Sequence, residues 1–397
     1  TGVQTCALPI YREDVALMKK MGLKSYRFSV SWSRILPDGT EKINQKGIEF
    51  YQSLVRELKA AGIEPMVTLY HWDLPYALYL QGGWKNPQIP DWFAAYTKIV
   101  VEALSDQVQY WMTLNEPQCF VGIGHLQGRH APFLDEPASL RPVTRHVLLA
   151  HAKAVQTIRQ YAKLPPKVGY APTGPVFSPC GDESEAAIAE AYRRTMEVEG
   201  CYSISWWCDP VLLGRVPEPM AKALGADVFT PQELELLHQP LDYLGFNVYN
   251  ACAAQQPGSE YTANTWQGSP RTAMEWPITP DCIYWAIRFL NQRYGRPILI
   301  TENGMANTDF VMLDGKVHDP QRIDYVHRHL LAARRALQEG YPLIGYTYWS
   351  IMDNYEWAEG YSKRFGLIYV DYRTMERIPK DSAAWYAHVI ATNGSEL

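Results

Sequence analysis

Short β-rich segments alternate with longer helical patterns along most of this 397-residue chain. The β-rich segments are short and apolar, and they contain many Val, Ile, Tyr and Thr residues. Such segments are typical of strands that are buried on both faces of a parallel sheet. The predicted strands are residues 25–30, 64–70, 109–114, 167–171, 243–247, 297–301 and 343–348.

Helical periodicity separates these strands, most clearly at residues 44–61, 141–161, 279–294 and 321–339. In segment 44–61 the apolar residues recur at a helical spacing, and Gly62 follows as a suitable stop. Strand–helix alternation predicts right-handed βαβ units and a (β/α) barrel with one strand unaccounted for. An open doubly wound sheet is the alternative, although no G-x-G-x-x-G motif follows an early strand.

Polar or aromatic residues follow six of the seven predicted strands. In a parallel barrel all strand C-termini open onto one face, where active sites lie, so we expect these side chains to converge. The six strand-end segments are Ser31-Trp32, His71-Trp72-Asp73, Asn115-Glu116, Asn247-Val248-Tyr249, Glu302-Asn303 and Trp349-Ser350.

Composition narrows the classes of ligand. The net charge of −5, without basic blocks, argues against nucleic acid and anionic membranes as partners, and no apolar run reaches the ~18 residues that span a bilayer. Aromatic residues make up 13% of the chain, and Trp and Tyr have flat apolar faces with polar edges that suit sugar rings. A large core that uses aromatic residues as filler explains the same composition.

The seven cysteines are odd in number and include no C-x-x-C pair. A disulfide framework or structural zinc site is therefore not expected, and a reducing, cytoplasmic location is predicted. His327 and His329 are two residues apart on a predicted helix and do not share a face, so they are not expected to form a metal pair. The sequence predicts neither a cofactor nor a bound metal.

Two carboxylates stand out among the strand-end residues. Glu116 and Glu302 each follow an apolar strand directly, and they are three predicted strands apart. We expect Pro117 to keep Glu116 extended as the chain leaves the sheet. Carboxylates on opposite sides of a barrel mouth can act on one bond from both sides.

Six specific segments occur in order along the chain: YRFSVSW (26–32), HWDLP (71–75), NEP (115–117), ENG (302–304), NYEWAEGY (354–361) and FGL (365–367). On these segments the chain resembles glycoside hydrolase family 1, of the β-glucosidase type, from about Tyr11 to the C-terminus. The resemblance implies a TIM (β/α)8 barrel and a retaining β-glucosidase that removes terminal β-D-glucosyl residues from β-glucosides, cellobiose and cello-oligosaccharides.

The resemblance also implies roles for the residues at the barrel mouth. Glu116 matches the acid/base and Glu302 the nucleophile of the family. Arg27 and Tyr249 match residues that contact the nucleophile. Asn115 matches the residue that holds the sugar 2-hydroxyl, and Asn247 matches another polar residue of the pocket. The glycosyl pocket is implied to consist of His71, Trp72, Trp349, Glu356, Trp357 and Phe365. The Trp349–Ser350 peptide bond is implied to be cis.

The resemblance does not extend to the first ten residues of the chain. Residues 1–10 (TGVQTCALPI) resemble nothing in the family, so we interpret them as an unrelated leader before one catalytic domain at 11–397. The family's first strand, with its sugar-binding glutamine, is then expected to be absent from an N-terminally truncated barrel. An inactive carbohydrate-binding fragment is the alternative function, and an endo-acting cellulase of a related barrel family is a third.

Overall fold

Parallel strands and flanking helices form the framework of the protein, as the alternating sequence pattern predicts. The computed structural model describes residues 11–179, 182–254 and 268–397. The predicted leader, residues 1–10, lies outside the described residues. The strands in chain order are β1 (Ser25–Ser29), β2 (Glu64–Tyr70), β3 (Tyr110–Asn115), β4 (Lys167–Ala171), β5 (Val176–Ser178), β6 (Leu244–Asn247), β7 (Ala251–Ala253), β8 (Ile298–Asn303), β9 (Leu343–Tyr348), β10 (Ile368–Val370) and β11 (Arg377–Pro379).

Helices lie between the strands and cover the outside of the sheet. Their apolar faces pack inward, because each long helix carries buried residues at helical spacing. The helices are Tyr11–Lys20, Trp32–Ile35, Gln45–Ala60, Tyr76–Tyr79, Ile89–Leu104, Pro117–Val121, Leu140–Tyr161, Glu185–Glu197, Ile204–Leu212, Glu218–Leu224, Pro231–Leu237, Cys282–Tyr294, Pro320–Gln338 and Asp381–Ala391. In the part of the chain that the structure describes, no helix is both long and apolar enough to cross a bilayer.

Seven of these strands form the barrel wall. Strands β1–β4 pair in sequence order, all parallel, and β6, β8 and β9 form a second parallel group. Backbone hydrogen bonds from Asp242 N to Val168 O (2.9 Å) and from Asn247 N to Pro172 O (3.0 Å) join the groups on one side. The predicted parallel barrel is thereby confirmed, and the open doubly wound sheet is wrong.

The barrel wall is open between β1 and β9. Across residues 11–179, 182–254 and 268–397 no backbone ladder joins these two strands. A cavity of about 240 Å³ lies in the opening and reaches Arg27, His71 and Trp349 at the barrel mouth. Because a (β/α)8 barrel has eight strands, the opening is where an eighth strand would complete the wall.

The barrel interior is packed tightly enough to require glycine on β6. A Cβ atom at Gly245 would lie 2.8 Å from the Tyr170 carbonyl oxygen on β4 and 2.8 Å from Thr301 Cγ2 on β8. Both distances are shorter than normal carbon contacts, and the first involves backbone that cannot rotate away.

Gly245→Ala is therefore expected to lower the free energy of unfolding by about 1–3 kcal/mol, the usual cost of overpacking a core. Without a clash the same change would raise it by about 0.4–1 kcal/mol, because alanine restricts the unfolded chain. Urea unfolding of parent and variant, followed by far-ultraviolet circular dichroism, measures the difference. An unchanged or increased stability would show that the barrel is looser here.

Candidate active site

The polar strand-end residues converge at one mouth of the barrel. Asn115 ends β3, Asn247 ends β6, and Glu302 lies near the end of β8. Glu116 follows β3 directly. All four are buried, although carboxylates are rarely buried unless they are paired or hydrogen-bonded.

Both oxygens of Glu302 accept a hydrogen bond from a side chain. Arg27, on β1, donates from Nη1 to Glu302 Oε1 at 2.5 Å, and Tyr249 donates its hydroxyl to Oε2 at 2.7 Å. Arg27 also donates to Thr68 Oγ1 at 3.2 Å. Donors of this kind stabilise the ionised form of a carboxyl group.

Glu116 is connected to Glu302 through a chain of side-chain hydrogen bonds. The amide of Asn247 donates to Glu116 Oε1 at 2.7 Å and to Asn115 Oδ1 at 3.0 Å. Arg27 Nη2 donates to the same oxygen of Asn115 at 2.6 Å and binds Glu302 through its other amine. The structure thus brings together the six residues predicted for the catalytic centre.

The backbone of Glu116 differs from the expectation. Its dihedral angles are φ 45° and ψ 66°, so the prediction that Pro117 keeps it extended was wrong. Glu116 N donates to Ala171 O on β4 at 2.8 Å, and its carbonyl oxygen accepts from Cys119 N at 2.9 Å. One residue thus ends the strand ladder and begins the helix Pro117–Val121, which leaves no room for an extended exit.

Burial and repulsion raise the pKa of two carboxyl groups. Burial is the larger cause for Glu116, followed by the charge of Glu302, and together they raise its pKa to about 7. Burial also raises the pKa of Glu356 to about 8, with Glu302 and Glu116 adding to it. Raised carboxyl pKa values of this size mark candidate catalytic groups.

Aromatic rings form a wall beside the two carboxylates. His71 stacks 5.9 Å from Trp349 and 5.9 Å from Trp357, and Trp72 lies 4.4 Å from Trp357 between ring centroids. Burial, aided by Arg27, holds the pKa of His71 well below its ordinary value, so the ring is neutral. Its Nε2 lies 3.3 Å from the Asn115 amide nitrogen and can accept a hydrogen bond from it.

Glu356 retains an unused acceptor. Its Oε2 is buried, and no hydrogen-bond partner for it is found in the described ranges. Buried oxygens are nearly always paired, so an unpaired one beside a cavity is available to a ligand hydroxyl.

Phe365 lies beside Tyr249, whose hydroxyl donates to Glu302. It is 2% exposed, and its ring centroid is 6.2 Å from that of Tyr249. Trp276 packs on both rings, at 5.1 Å from Tyr249 and 6.1 Å from Phe365. Sequence reasoning did not identify Trp276, because it lies in a loop without a strand to place it.

His130 is a second residue that sequence reasoning missed. Its ring centroid is 5.5 Å from Trp72 and 6.3 Å from Trp357. It follows a π-helical turn, Gly122–Leu126, which no sequence pattern indicated.

Three of the seven non-glycine residues that have positive φ in the described part of the chain belong to the pocket. Trp72, Glu116 and Trp357 all have positive φ without being glycine, at 80°, 45° and 46°. Each such residue costs about 1–3 kcal/mol, and residues of this kind cluster at functional sites. The Trp349–Ser350 bond is cis, as the resemblance implies.

Close packing explains why the last residue of the ENG segment, Gly304, is glycine. A Cβ atom there would lie 1.9 Å from the Trp349 carbonyl oxygen. Only glycine allows the chain at the end of β8 to approach the backbone of Trp349 this closely.

Known proteins resemble this chain in both sequence and fold. The sequence matches glycosyl hydrolase family 1 over residues 8–395. Beta-glucosidase A of Thermotoga maritima is 41% identical over 393 residues, which are 97% of this chain and 86% of that protein. A bifunctional beta-D-glucosidase/beta-D-fucosidase of Bifidobacterium breve is 37% identical over 413 residues, with 97% and 87% covered.

A solved structure agrees with this assignment. The beta-glucosidase from Thermotoga maritima in complex with deoxynojirimycin superposes with a TM-score of 0.88 at 40% identity, covering 98% of this chain and 88% of that one. The family predicted from the motifs is confirmed, and with it the TIM-barrel fold. This chain belongs to glycosyl hydrolase family 1.

Proposed function

We propose that this chain is a retaining β-glucosidase that hydrolyses terminal non-reducing β-D-glucosyl residues of β-glucosides, cellobiose and cello-oligosaccharides. The observation that carries the proposal is the hydrogen-bonded chain that joins Glu116 to Glu302 across one barrel mouth. Retaining glycosidases use two carboxyl groups about 5–5.5 Å apart, one as nucleophile and one as acid/base.

In the first step Glu302 attacks the anomeric carbon of the glucosyl unit. The bond from that carbon to the aglycone oxygen breaks, and Glu116 gives its proton to the departing oxygen. A carboxyl group with a pKa of about 7 is protonated in about half of the molecules at neutral pH, whereas one with its ordinary pKa is almost fully ionised. The products are the free aglycone alcohol and a glucosyl ester on Glu302.

In the second step water replaces the enzyme at the anomeric carbon. Ester formation removes the negative charge of Glu302, which lowers the pKa of Glu116. Glu116 is then an ionised base that takes a proton from the attacking water, and the ester bond to Glu302 breaks. Glucose leaves with its β configuration, and both carboxyl groups return to their starting states.

Four neighbours support this chemistry. Arg27 and Tyr249 each donate one hydrogen bond to an oxygen of Glu302 and thereby orient this side chain for attack. Burial and the charge of Glu302 keep the pKa of Tyr249 well above its ordinary value, so its hydroxyl remains a donor. Asn115 is assigned to the sugar 2-hydroxyl, and Asn247 orients Glu116 through their 2.7 Å hydrogen bond.

The glucosyl pocket fits one neutral sugar ring. The free oxygen of Glu356 provides an acceptor for a sugar hydroxyl, and the rings provide apolar walls. The relative from Thermotoga maritima has been solved with deoxynojirimycin, a glucose-shaped molecule, which supports the same occupant here. The assigned residues are His71, Trp72, Trp349, Glu356, Trp357 and Phe365.

A cytoplasmic location is part of the proposal. Cys201, Cys208 and Cys282 are free thiols buried in the core, and the seven cysteines include no C-x-x-C pair. This usage is typical of proteins of reducing compartments.

The first test is hydrolysis of 4-nitrophenyl β-D-glucoside. We expect nitrophenol release from the parent and a loss of kcat by about 10³-fold or more in Glu302→Gln, because the amide cannot form the glucosyl ester. Proton NMR of the parent reaction is expected to show β-glucose before α-glucose. If α-glucose appears first, the retaining mechanism is wrong; if parent and variant are equally inactive, the binding-fragment alternative replaces it.

The second test measures the coupling of the two carboxyl groups. In Glu302→Gln the repelling charge is gone but burial remains, so the pKa of Glu116 is expected to fall below about 7 while staying above its ordinary value. Carbon-13 NMR titration of side-chain-labelled glutamate measures it, with Glu116→Gln identifying the resonance. An unchanged pKa would mean that the carboxyl groups are too far apart to share a sugar.

The pKa of Glu116 is also expected to set the alkaline limit of kcat/KM in the parent protein. Glu116 must be protonated to act as an acid, so kcat/KM is expected to fall as the pH rises through about 7. A profile flat to pH 9 would show that another group protonates the aglycone.

A further inference from the structure

The Trp349–Trp357 segment after β9 carries three of the pocket side chains, Trp349, Glu356 and Trp357, and its middle is fixed by a buried carboxylate. Asp353 lies between Trp349 and Glu356 in sequence, and its side chain is fully buried. It accepts hydrogen bonds from Arg364 Nη1 at 2.6 Å and from the Gly366 backbone N–H at 2.9 Å. Its own backbone N–H donates to Ile368 O at 3.0 Å.

Lys380 is the residue that ties this carboxylate to the rest of the barrel. Its side chain is fully buried, and its ammonium donates to Asp353 Oδ1 at 2.8 Å and to Asp309 Oδ2 at 2.5 Å. Asp309 lies in the loop after β8, the strand that carries Glu302. One ammonium group therefore connects the loop that shapes the pocket to the loop that follows the nucleophile.

Arg322 extends the connection to a helix. It donates to Asp309 Oδ2 and to the Arg364 carbonyl oxygen at 2.6 and 2.9 Å, and it pairs with Asp319 at the start of Pro320–Gln338. Asp319 in turn accepts from Ser382 Oγ at 2.6 Å at the start of Asp381–Ala391. We call Asp309, Asp319, Arg322, Asp353, Arg364 and Lys380 the anchor cluster.

The anchor cluster contains three carboxylates and three cations, so its charges balance. Burial lowers the pKa of Lys380, with Arg322 adding to the effect, while Asp353 and Asp309 oppose it. Removing the ammonium leaves the buried cluster with one excess negative charge. An unpaired charge costs far more free energy in the protein interior than in water. The two aspartates then repel each other without the cation between them.

The backbone around Asp353 is packed too closely for this residue to move without displacing its neighbours. A Cβ atom at Gly366 would lie 2.1 Å from Asp353 N, so the two backbone segments touch. A displacement of Asp353 is therefore passed along the backbone to Glu356, three residues later, and to Trp349, four residues earlier.

We propose that Lys380 is a positioning residue of the glucosyl pocket, which holds the Trp349–Trp357 loop at the geometry that recognises the sugar ring. Its hydrogen bonds go to Asp309 and Asp353 and not to Glu116 or Glu302, so it acts through the loop. The inference rests on the proposed β-glucosidase function and adds a residue that no motif marks.

The test compares Lys380→Met with Arg293→Met. Arg293 binds the fully buried Asp209 at 2.6 Å, far from the pocket loop in sequence. Lys380→Met removes a fully buried cation from two aspartates, which keep Arg364 and Arg322 as partners. Arg293→Met removes a partly buried cation from one fully buried aspartate, which keeps Arg215. The control therefore reproduces the loss of stability without touching the loop.

The readouts are the Kd of deoxynojirimycin by calorimetry, and KM and kcat for 4-nitrophenyl β-D-glucoside. In Lys380→Met we expect Kd and KM to rise by about ten- to a hundredfold, the usual effect of losing a hydrogen bond to a charged group, with kcat within about threefold. The alkaline limb of kcat/KM is expected to stay in place, because Glu116 and Glu302 keep their partners. In Arg293→Met we expect a lower Tm and unchanged Kd.

Each contrary result overturns the inference. An unchanged Kd in Lys380→Met, or an equal rise in Arg293→Met, would show that the anchor cluster contributes stability alone. If Lys380→Met does not fold, Asp353→Asn takes its place, since it keeps the size of the side chain and removes its charge; a Kd within twofold of the parent rejects the positioning role.

The design also separates this inference from the proposed function. A parent that binds deoxynojirimycin without hydrolysing the glucoside contradicts the function, while the Kd series still decides the role of Lys380. A parent that neither binds nor hydrolyses contradicts both.

Discussion

The ion pair between Arg27 and Glu302 is the interaction on which the site depends. It joins β1 to β8 across the barrel interior, with side chains 7% and 6% exposed. Removing one member of such a pair leaves an uncompensated buried charge and costs about 3–5 kcal/mol. Arg27 also donates to Asn115, so a single guanidinium fixes Glu302 and connects it to the amide groups that reach Glu116. Because β1 borders the opening in the barrel wall, this pair also links two strands on either side of that opening.

Different surroundings give two like groups different roles. Glu302 accepts hydrogen bonds from a guanidinium and a hydroxyl, whereas Glu116 is hydrogen-bonded to the Asn247 amide and the Cys119 thiol and has no cation on its oxygens. In the proposed mechanism these different neighbours are what distinguish the acid, Glu116, from the nucleophile, Glu302. Positive φ angles at Trp72, Glu116 and Trp357 show that the barrel frame supports locally unfavourable backbone to reach this arrangement.

Periodic features of the sequence predicted the fold, and features without periodicity escaped prediction. Strands 64–70, 167–171 and 343–348 were predicted at their observed bounds, and the other barrel strands within two residues at either end. Burial on both faces accounts for the apolar composition of β2, β3, β4, β6 and β8, which a short window of sequence reveals, whereas β9 beside the opening is only partly buried. The motifs placed Glu116, Glu302 and their partners together. The anchor cluster could not be foreseen, because Asp309, Asp353 and Lys380 come from separate loops with no common spacing. The left-handed backbone of Glu116 was also missed, since it follows from the helix that begins at Pro117.

The most direct test of the account is capture of the glucosyl-enzyme. A 2-deoxy-2-fluoro β-glucoside with a dinitrophenyl leaving group should react once and stop, because the electron-withdrawing fluorine slows hydrolysis of the ester more than its formation. Mass spectrometry of the intact protein and of its peptides then locates the sugar. The account predicts one fluoroglucosyl group, attached to Glu302. A sugar on any other residue, or full turnover without any adduct, would contradict the assignment of Glu302 as nucleophile.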